Sequence, residues 1–228
     1  MYLKKWEDIP VFMKNDEVKK YYDMLQQKKG QLIIKRLFDI VVSFFMLILL
    51  SPIFLILAIW IKLDGHGSIF YKQERITQYG KVFYIFKFRT MITNADQMGS
   101  LVTARNDSRI TNVGKKIRKC RLDELPQLFN ILKGEMSFVG TRPEVKKYVD
   151  AYTNEMKATL LLPAGVTSLG SINYKNEDEI LEKKILQGKS IDEAYIEDIL
   201  PEKMKFNLEY LHYFNIAKDV SLCVKTVM

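Results

Sequence analysis

Two carboxylates stand side by side in the run Arg121-Leu122-Asp123-Glu124-Leu125-Pro126-Gln127. Acids at the start of a helix are ordinarily caps or dipole partners, worth about 0.3–1 kcal/mol. Here Lys115, Lys116, Arg118, Lys119 and Arg121 precede or flank them, and so dense a basic stretch is expected to hold a carboxylate ionised. The start of a helix is also a place where free amides receive a phosphate.

A second group is Phe86-Lys87-Phe88-Arg89-Thr90. On a strand, Lys87 and Arg89 share one face and the two phenylalanines the other; the plainer reading is a half-exposed strand with a solvated basic face. A third is Gly140-Thr141-Arg142-Pro143-Glu144, which alone is a turn opening into a helix. Together these supply cations for phosphate oxygens and a carboxylate pair. Neither a glycine-rich P-loop nor a dinucleotide fingerprint is present, so kinase-like and Rossmann readings find no support. Cys120 and Cys223 follow no metal-ligand spacing and only two histidines occur, which argues against a zinc site and for two thiols in a reducing compartment. The net charge of +8 implies an anionic partner: nucleic acid, anionic lipid or a phosphorylated substrate.

The elements that must position these groups can be traced along the chain. Residues 68–91 alternate aromatic and β-branched types around the turn Gln78-Tyr79-Gly80, which predicts a strand pair. A helix is expected over 117–132, stopped by Lys133-Gly134, and another after Arg142-Pro143 through Tyr152. Residues 160–172 form a loop or short strand around Pro163, Gly165 and Gly170. The tail is helical, with breaks expected at Gly188 and Pro201. Residues 1–30 are a polar arm with a short helical pattern.

Residues 40–61 contain no formal charge over twenty-two positions, more than the roughly 18 that mark a membrane segment. Ser51-Pro52 interrupts the block, where proline removes a helical hydrogen bond and the serine hydroxyl can serve a freed carbonyl. Lys28, Lys29, Lys35 and Arg36 precede the block, and Lys62, Lys72 and Arg75 follow it, drawing both ends to the cytoplasm. A half-block of about 12 residues rises roughly 18 Å, a little past the midplane. A kinked span and a re-entrant hairpin both fit. The expected architecture is one membrane segment feeding one compact α-rich domain.

The sequence resembles the bacterial sugar transferases, the monotopic polyprenyl-phosphate phosphoglycosyl transferases, from Lys35 to the C-terminus. The resemblance rests on KRLFDIVVSFFMLILLSPIFLILAIWIKLDGHGSIFYKQERITQYGKVFYIFKFRTM, RLDELPQLFNILKGEMSFVGTRPE, PAGVTSLGSI and the ILPEKMKFNLEYL…DVSLCVKTV tail, in that order. It implies an α-rich α+β fold: a polar arm (1–34), a re-entrant membrane helix (35–63) broken at Ser51 and Pro52, and a cytoplasmic catalytic domain (64–228) with short strands and interfacial amphipathic helices. It further implies residence at the bacterial inner membrane, on its cytoplasmic face. Asp123 would attack the sugar-bearing phosphate of a UDP-sugar, releasing UMP and leaving a phospho-sugar on the carboxylate for transfer to polyprenyl (undecaprenyl) phosphate. Glu124 would hold Mg²⁺, and Lys87, Arg89, Arg121 and Arg142 would contact phosphate. Inner-membrane lipid is an implied partner and nucleic acid is not.

The sequence departs from the family pattern in two places. Thr141 stands where a proline is usual, and Leu162-Pro163-Ala164-Gly165 lacks an arginine common before that glycine. The length before the block resembles the short form of the family. Two alternatives are a membrane-anchored basic binding module without catalysis and a structural subunit with vestigial site residues.

Overall fold

A computed structural model describes residues 3–95, 107–174 and 176–227. Its longest helix, α2 (Lys29–Leu49), is patterned inside out. The residues it buries are Leu32, Lys35, Asp39 and Ser43, while Phe45 is 64% and Leu49 76% exposed. α3 (Ser51–Leu63) likewise exposes Leu55, Ile56 and Leu63 and buries Leu57 and Ile61. The two helices meet at Leu50 and bend by 61°. Pro52 sits in the first turn of α3, and Ser51 Oγ donates to Ile48 O at 2.8 Å, the carbonyl that the N–H missing from Pro52 would have served. Among the described residues no single helix is long and apolar enough to cross a membrane; this bent pair passes the test jointly.

The fold is helix-rich α+β. A hairpin of β1 (Phe70–Ile76) and β2 (Val82–Phe88) turns at Gln78–Gly80. There Tyr79 (φ 60°) and Gly80 (φ 72°) both take left-handed backbone. A second, parallel pair joins β3 (Met136–Val139) to β4 (Ala164–Thr167). Gly140 and Gly165 pass so closely beside it that a Cβ on Gly165 would lie 2.2 Å from Gly140 N, which requires glycine there.

α1 (Asp16–Gln27) starts with Asn15, whose side chain accepts from Val18 N, and buries Val18, Tyr22 and Leu25 at helical spacing. These join one large core with α10 (Leu200–His212) and α11 (Ile216–Val227). The polar face of α2 is met from several directions, and of the side-chain atoms of Lys35, Asp39 and Asp219 only Asp39 Oδ2 lacks a hydrogen bond among the described residues. Lys35 pairs with Asp219 and donates to Val139 O, and Tyr210 Oη donates to the other Asp219 oxygen at 2.9 Å. Asp39 accepts from Ser137 Oγ and Phe138 N, each at 3.1 Å.

Three expected boundaries move. The helix expected over 117–132 is broken into α4 (Asn112–Lys119), a 3₁₀ turn at Leu122–Glu124 and α5 (Gln127–Lys133). Pro126 lacks the N–H a continuous helix would give to Leu122 O, and Leu125 N makes that bond instead at 3.3 Å. Gly134 caps α5 at φ 88°, as expected. The helix after Arg142-Pro143 starts later and is short, α6 (Lys146–Asp150), because Glu144 O accepts from Ile76 N at 2.9 Å and holds the loop beside β1. Pro201 does not break the tail. It takes a first-turn position in α10 directly after a π turn at Tyr195–Ile199, where its missing N–H is harmless. The break at Gly188 is present at φ 94°, between α8 (Glu177–Leu186) and α9 (Ile191–Ala194). β4 is followed by α7 (Leu169–Asn173).

Removing one partner of a buried ion pair strands the other charge, at a cost of about 3–5 kcal/mol. Asp219→Ala, which leaves Lys35 unpaired, is therefore expected to lower the denaturation midpoint sharply. A midpoint unchanged from the parent would show that the pair does not hold α11 to α2.

Candidate active site

The 3₁₀ turn carrying Asp123 and Glu124 is placed by a left-handed residue and an asparagine. Arg121 has φ 53° and ψ 23°, a conformation that ends α4 and redirects the chain at a cost in strain. Asn130 on α5 is fully buried. Its Oδ1 accepts from Phe86 N at 3.0 Å and its Nδ2 donates to Tyr84 O at 2.8 Å and to Glu135 Oε2 at 2.7 Å. This side chain fastens α5, and with it the acid pair, to β2 and Lys87. Neither carboxylate caps α5, whose N-cap residue is Pro126.

Glu124 gathers three of the four expected phosphate contacts. Its Oε1 lies 3.4 Å from Arg142 Nη2 and 3.9 Å from Lys87 Nζ, and its Oε2 lies 3.9 Å from Arg121 Nη1. Arg121 is otherwise largely exposed, at 71%. Arg89 is anchored away from Glu124. Its guanidinium donates to Ile61 O and Gly65 O at 2.8 and 2.7 Å, and to His66 O at 2.8 Å. It thus caps the C-terminal end of α3, where a cation is favoured, and joins the apolar helix pair to the end of β2.

A cavity of about 390 Å³ lies against this cluster, lined by Asp123, Lys87, Arg89 and Arg142, together with Tyr71, Gln73, Arg75 and Arg118. The last four were not singled out from the sequence as site residues. Tyr71, Gln73 and Arg75 share one face of β1 by simple alternation. A hairpin centred on Tyr79 sets Tyr71 opposite Lys87, so turn position and period together carried that signal. Arg118 stood in the basic stretch before the acid pair, with nothing to set it apart from its basic neighbours. Leu162 and Ala164, in the stretch lacking the family arginine, are buried with apolar residues.

The two carboxylates are driven in opposite directions. Burial, then Glu124 beside it, raise Asp123 above the ordinary aspartate value, against Lys87 and Arg118. The basic stretch therefore does not dominate Asp123 as expected: Arg118 is the member of it facing this carboxylate, and desolvation outweighs it. At Glu124 burial acts the same way, but Arg142, Lys87 and Arg121 overcome it and hold the group below its usual value. Burial and Arg142 push Lys87 down to about 8, against Glu124 and Asp123.

Among the described residues no group of three or more His, Cys, Asp or Glu converges on one point. Magnesium commonly uses one or two carboxylates plus substrate phosphates and water, and Glu124, with its carboxylate held ionised beside the cavity cluster, fits that mode. The 3.4–3.9 Å contacts of Glu124 are longer than charge-assisted hydrogen bonds of about 2.7–2.9 Å.

The profile of the family described as bacterial sugar transferase matches residues 30–228. The chain is 44% identical over 123 residues to the UDP-N-acetylgalactosamine-undecaprenyl-phosphate N-acetylgalactosaminephosphotransferase of Aeromonas hydrophila, covering 54% of this chain and 29% of that protein. It is 33% identical over 200 residues to the UDP-glucose:undecaprenyl-phosphate glucose-1-phosphate transferase of Klebsiella pneumoniae, covering 86% of this chain and 40% of that protein. It is 38% identical over 208 residues to the exopolysaccharide production protein ExoY of Sinorhizobium fredii, covering 85% and 83% respectively. The chain thus spans less than half the length of the first two relatives and most of the third.

The lowered Lys87 value predicts its chemical reactivity. An amine reagent that acylates only the neutral form should modify Lys87 with a half-point near pH 8, whereas exposed lysines titrate at about 10.4. A half-point at or above 10 would show that the site does not desolvate this side chain.

Proposed function

The chain belongs to the bacterial sugar transferase family, and on that premise we propose that it transfers a sugar-1-phosphate from a UDP-sugar to undecaprenyl phosphate. The observation that carries this reading is Asp123 facing a cavity rich in cations, tied through Arg89 to the end of a helix pair whose exposed surface is apolar. A water-soluble diphosphate and a phosphate on a lipid tail can meet there.

In the proposed reaction an Asp123 carboxylate oxygen attacks the phosphorus that bears the sugar. The new O–P bond forms as the bond to UMP breaks, and UMP departs with the electron pair. A phosphate oxygen of the lipid carrier then attacks the same phosphorus and releases Asp123, giving a lipid diphospho-sugar with no net proton taken up. The intermediate replaces one displacement between anions with two easier ones. Lys87 and Arg142 lie where charge builds on the phosphoryl oxygens. Glu124 would hold Mg²⁺, which would supply positive charge to offset the diphosphate and the departing UMP.

The bent pair supports a re-entrant seat in one leaflet of the cytoplasmic membrane. The exposed apolar surface of α2 and α3 suits lipid contact, and the basic flanks favour cytoplasmic ends. The domain following α3 then faces the cytoplasm. The name of one relative points to exopolysaccharide production, and the sugar differs between the other two.

UMP release measured across a panel of UDP-sugars with undecaprenyl phosphate and Mg²⁺ tests the reaction. At least one donor should react, Asp123→Asn should lower the rate by more than about a thousandfold, and chelating the metal should silence it. A parent protein that releases no UMP from any donor would leave a basic binding module as the better account.

The pH profile follows from the opposed shifts. Activity rises as Asp123 ionises, above the ordinary aspartate value, and falls as Lys87 loses its proton near pH 8. Lys87→Arg should move the falling limb upward; an unmoved limb would assign it elsewhere.

For topology, cysteines placed at Gly30, where an added Cβ meets nothing within 4 Å, and at exposed His66 should react with an impermeant reagent from the same side. Labelling from opposite sides would sink the re-entrant seat.

A further inference from the structure

Arg142 lies in a loop held at both ends. On the near side Gly140 N donates to Thr167 O at 3.0 Å and Gly165 N to Thr141 O at 2.8 Å, fixing the chain up to Thr141. On the far side Glu144 is fixed twice, once through its carbonyl, which accepts from Ile76 N, and once through its carboxylate. Tyr195 Oη donates to Glu144 Oε1 at 2.6 Å. Lys203 Nζ donates to Tyr195 Oη at 3.0 Å and pairs with Glu177 Oε2 at 3.0 Å, with Glu144 Oε1 at 3.8 Å. Glu144, Tyr195 and Lys203 are exposed by only 6%, 5% and 5%.

We propose that Glu144, Tyr195 and Lys203 form a buried relay of positioning residues that holds Arg142 against Glu124 and the cavity. A hydrophobic pin would hold the loop equally well but would not manage its charges. Arg75 and Arg142 both line the cavity and repel each other, and Glu144 attracts both. Tyr195 then fixes where that negative charge sits. The π turn that Tyr195 opens widens the helix at this point, and such turns recur at functional sites. The C-terminal helices thereby reach into the phosphate site without a side chain in it.

This proposal rests on the function given above in taking Arg142 as a diphosphate contact, and its test needs no turnover. Binding of inorganic pyrophosphate, without added metal, is measured by calorimetry on the whole chain in lipid nanodiscs. The proteins compared are the parent, Tyr195→Phe, Arg142→Ala and the double variant. Tyr195→Phe keeps the ring packed 4.3 Å from that of Tyr148 and removes only the hydroxyl. It should weaken binding about tenfold, the worth of one hydrogen bond. In the double variant binding should equal that of Arg142→Ala within about twofold, because a residue acting through Arg142 has nothing left to lose. Glu144→Gln, run through the same cycle, covers the case in which Tyr195→Phe fails to fold. A parent that does not bind pyrophosphate, variants that bind like the parent, or losses that multiply in the double variant would each overturn the relay. Loss of UMP release from every donor with the cycle intact would instead remove the transferase reading and leave the relay standing.

Discussion

A lysine and an acid buried on one face of a helix whose exposed surface is apolar, with a second acid reaching the lysine from another helix, are a strong constraint. Lys35 and Asp39 sit on the inner face of α2 and Asp219 on α11, where each must find a charge or hydrogen-bond partner or be excluded from the interior. Their partners are the ends of other elements: Val139 O, Phe138 N and Ser137 Oγ on β3, and Tyr210 on α10. The apolar pair is thereby joined to the rest of the chain by polar bonds with fixed directions, and not by a greasy contact that could slide. β3 runs directly from those bonds to Gly140 and Arg142, so the register of α2 reaches the cavity within a few residues.

The site shows how one dipeptide can offer two chemistries. Asp123 and Glu124 share a turn and both are largely buried, yet only Glu124 is surrounded by enough cations to overcome desolvation. One carboxylate is kept poised and the other kept charged, and environments that separate neighbouring acids in this way are a common basis for dividing roles between them. Asn130 sustains the arrangement by replacing a missing third strand. It supplies β2 with a donor and an acceptor where the two-stranded hairpin has none.

Features governed by local rules were legible in the sequence. The hairpin and its turn at Tyr79 and Gly80, the cap at Gly134, and the role of Ser51 beside Pro52 all follow from backbone chemistry within a few residues. The acid pair stood out for its type and spacing, and Lys87, Arg121 and Arg142 do meet around Glu124. What could not be read depends on contacts distant in sequence. Arg89 shares a strand face pattern with Lys87 yet binds the end of α3, because that helix ends beside it. The helix expected across Asp123 fails because Pro126 and Arg121 act on the same turn. Pro201 resembles a break until the preceding π turn supplies it a first-turn position. The direction of the Asp123 shift required knowing its burial, which no count of neighbouring lysines provides.

The arm that precedes the family match has a consequence for where this protein can be divided. The match begins at residue 30, but Ile9, Met13, Val18, Tyr22 and Leu25 belong to the same buried cluster as Tyr210, Leu211 and Phe214, and Lys28 donates to Phe214 O. The family profile and the buried core therefore draw different borders. A chain trimmed to residues 30–228 would open the apolar flank of its C-terminal helices to solvent, so the smallest unit that folds extends beyond the stretch that the family profile matches.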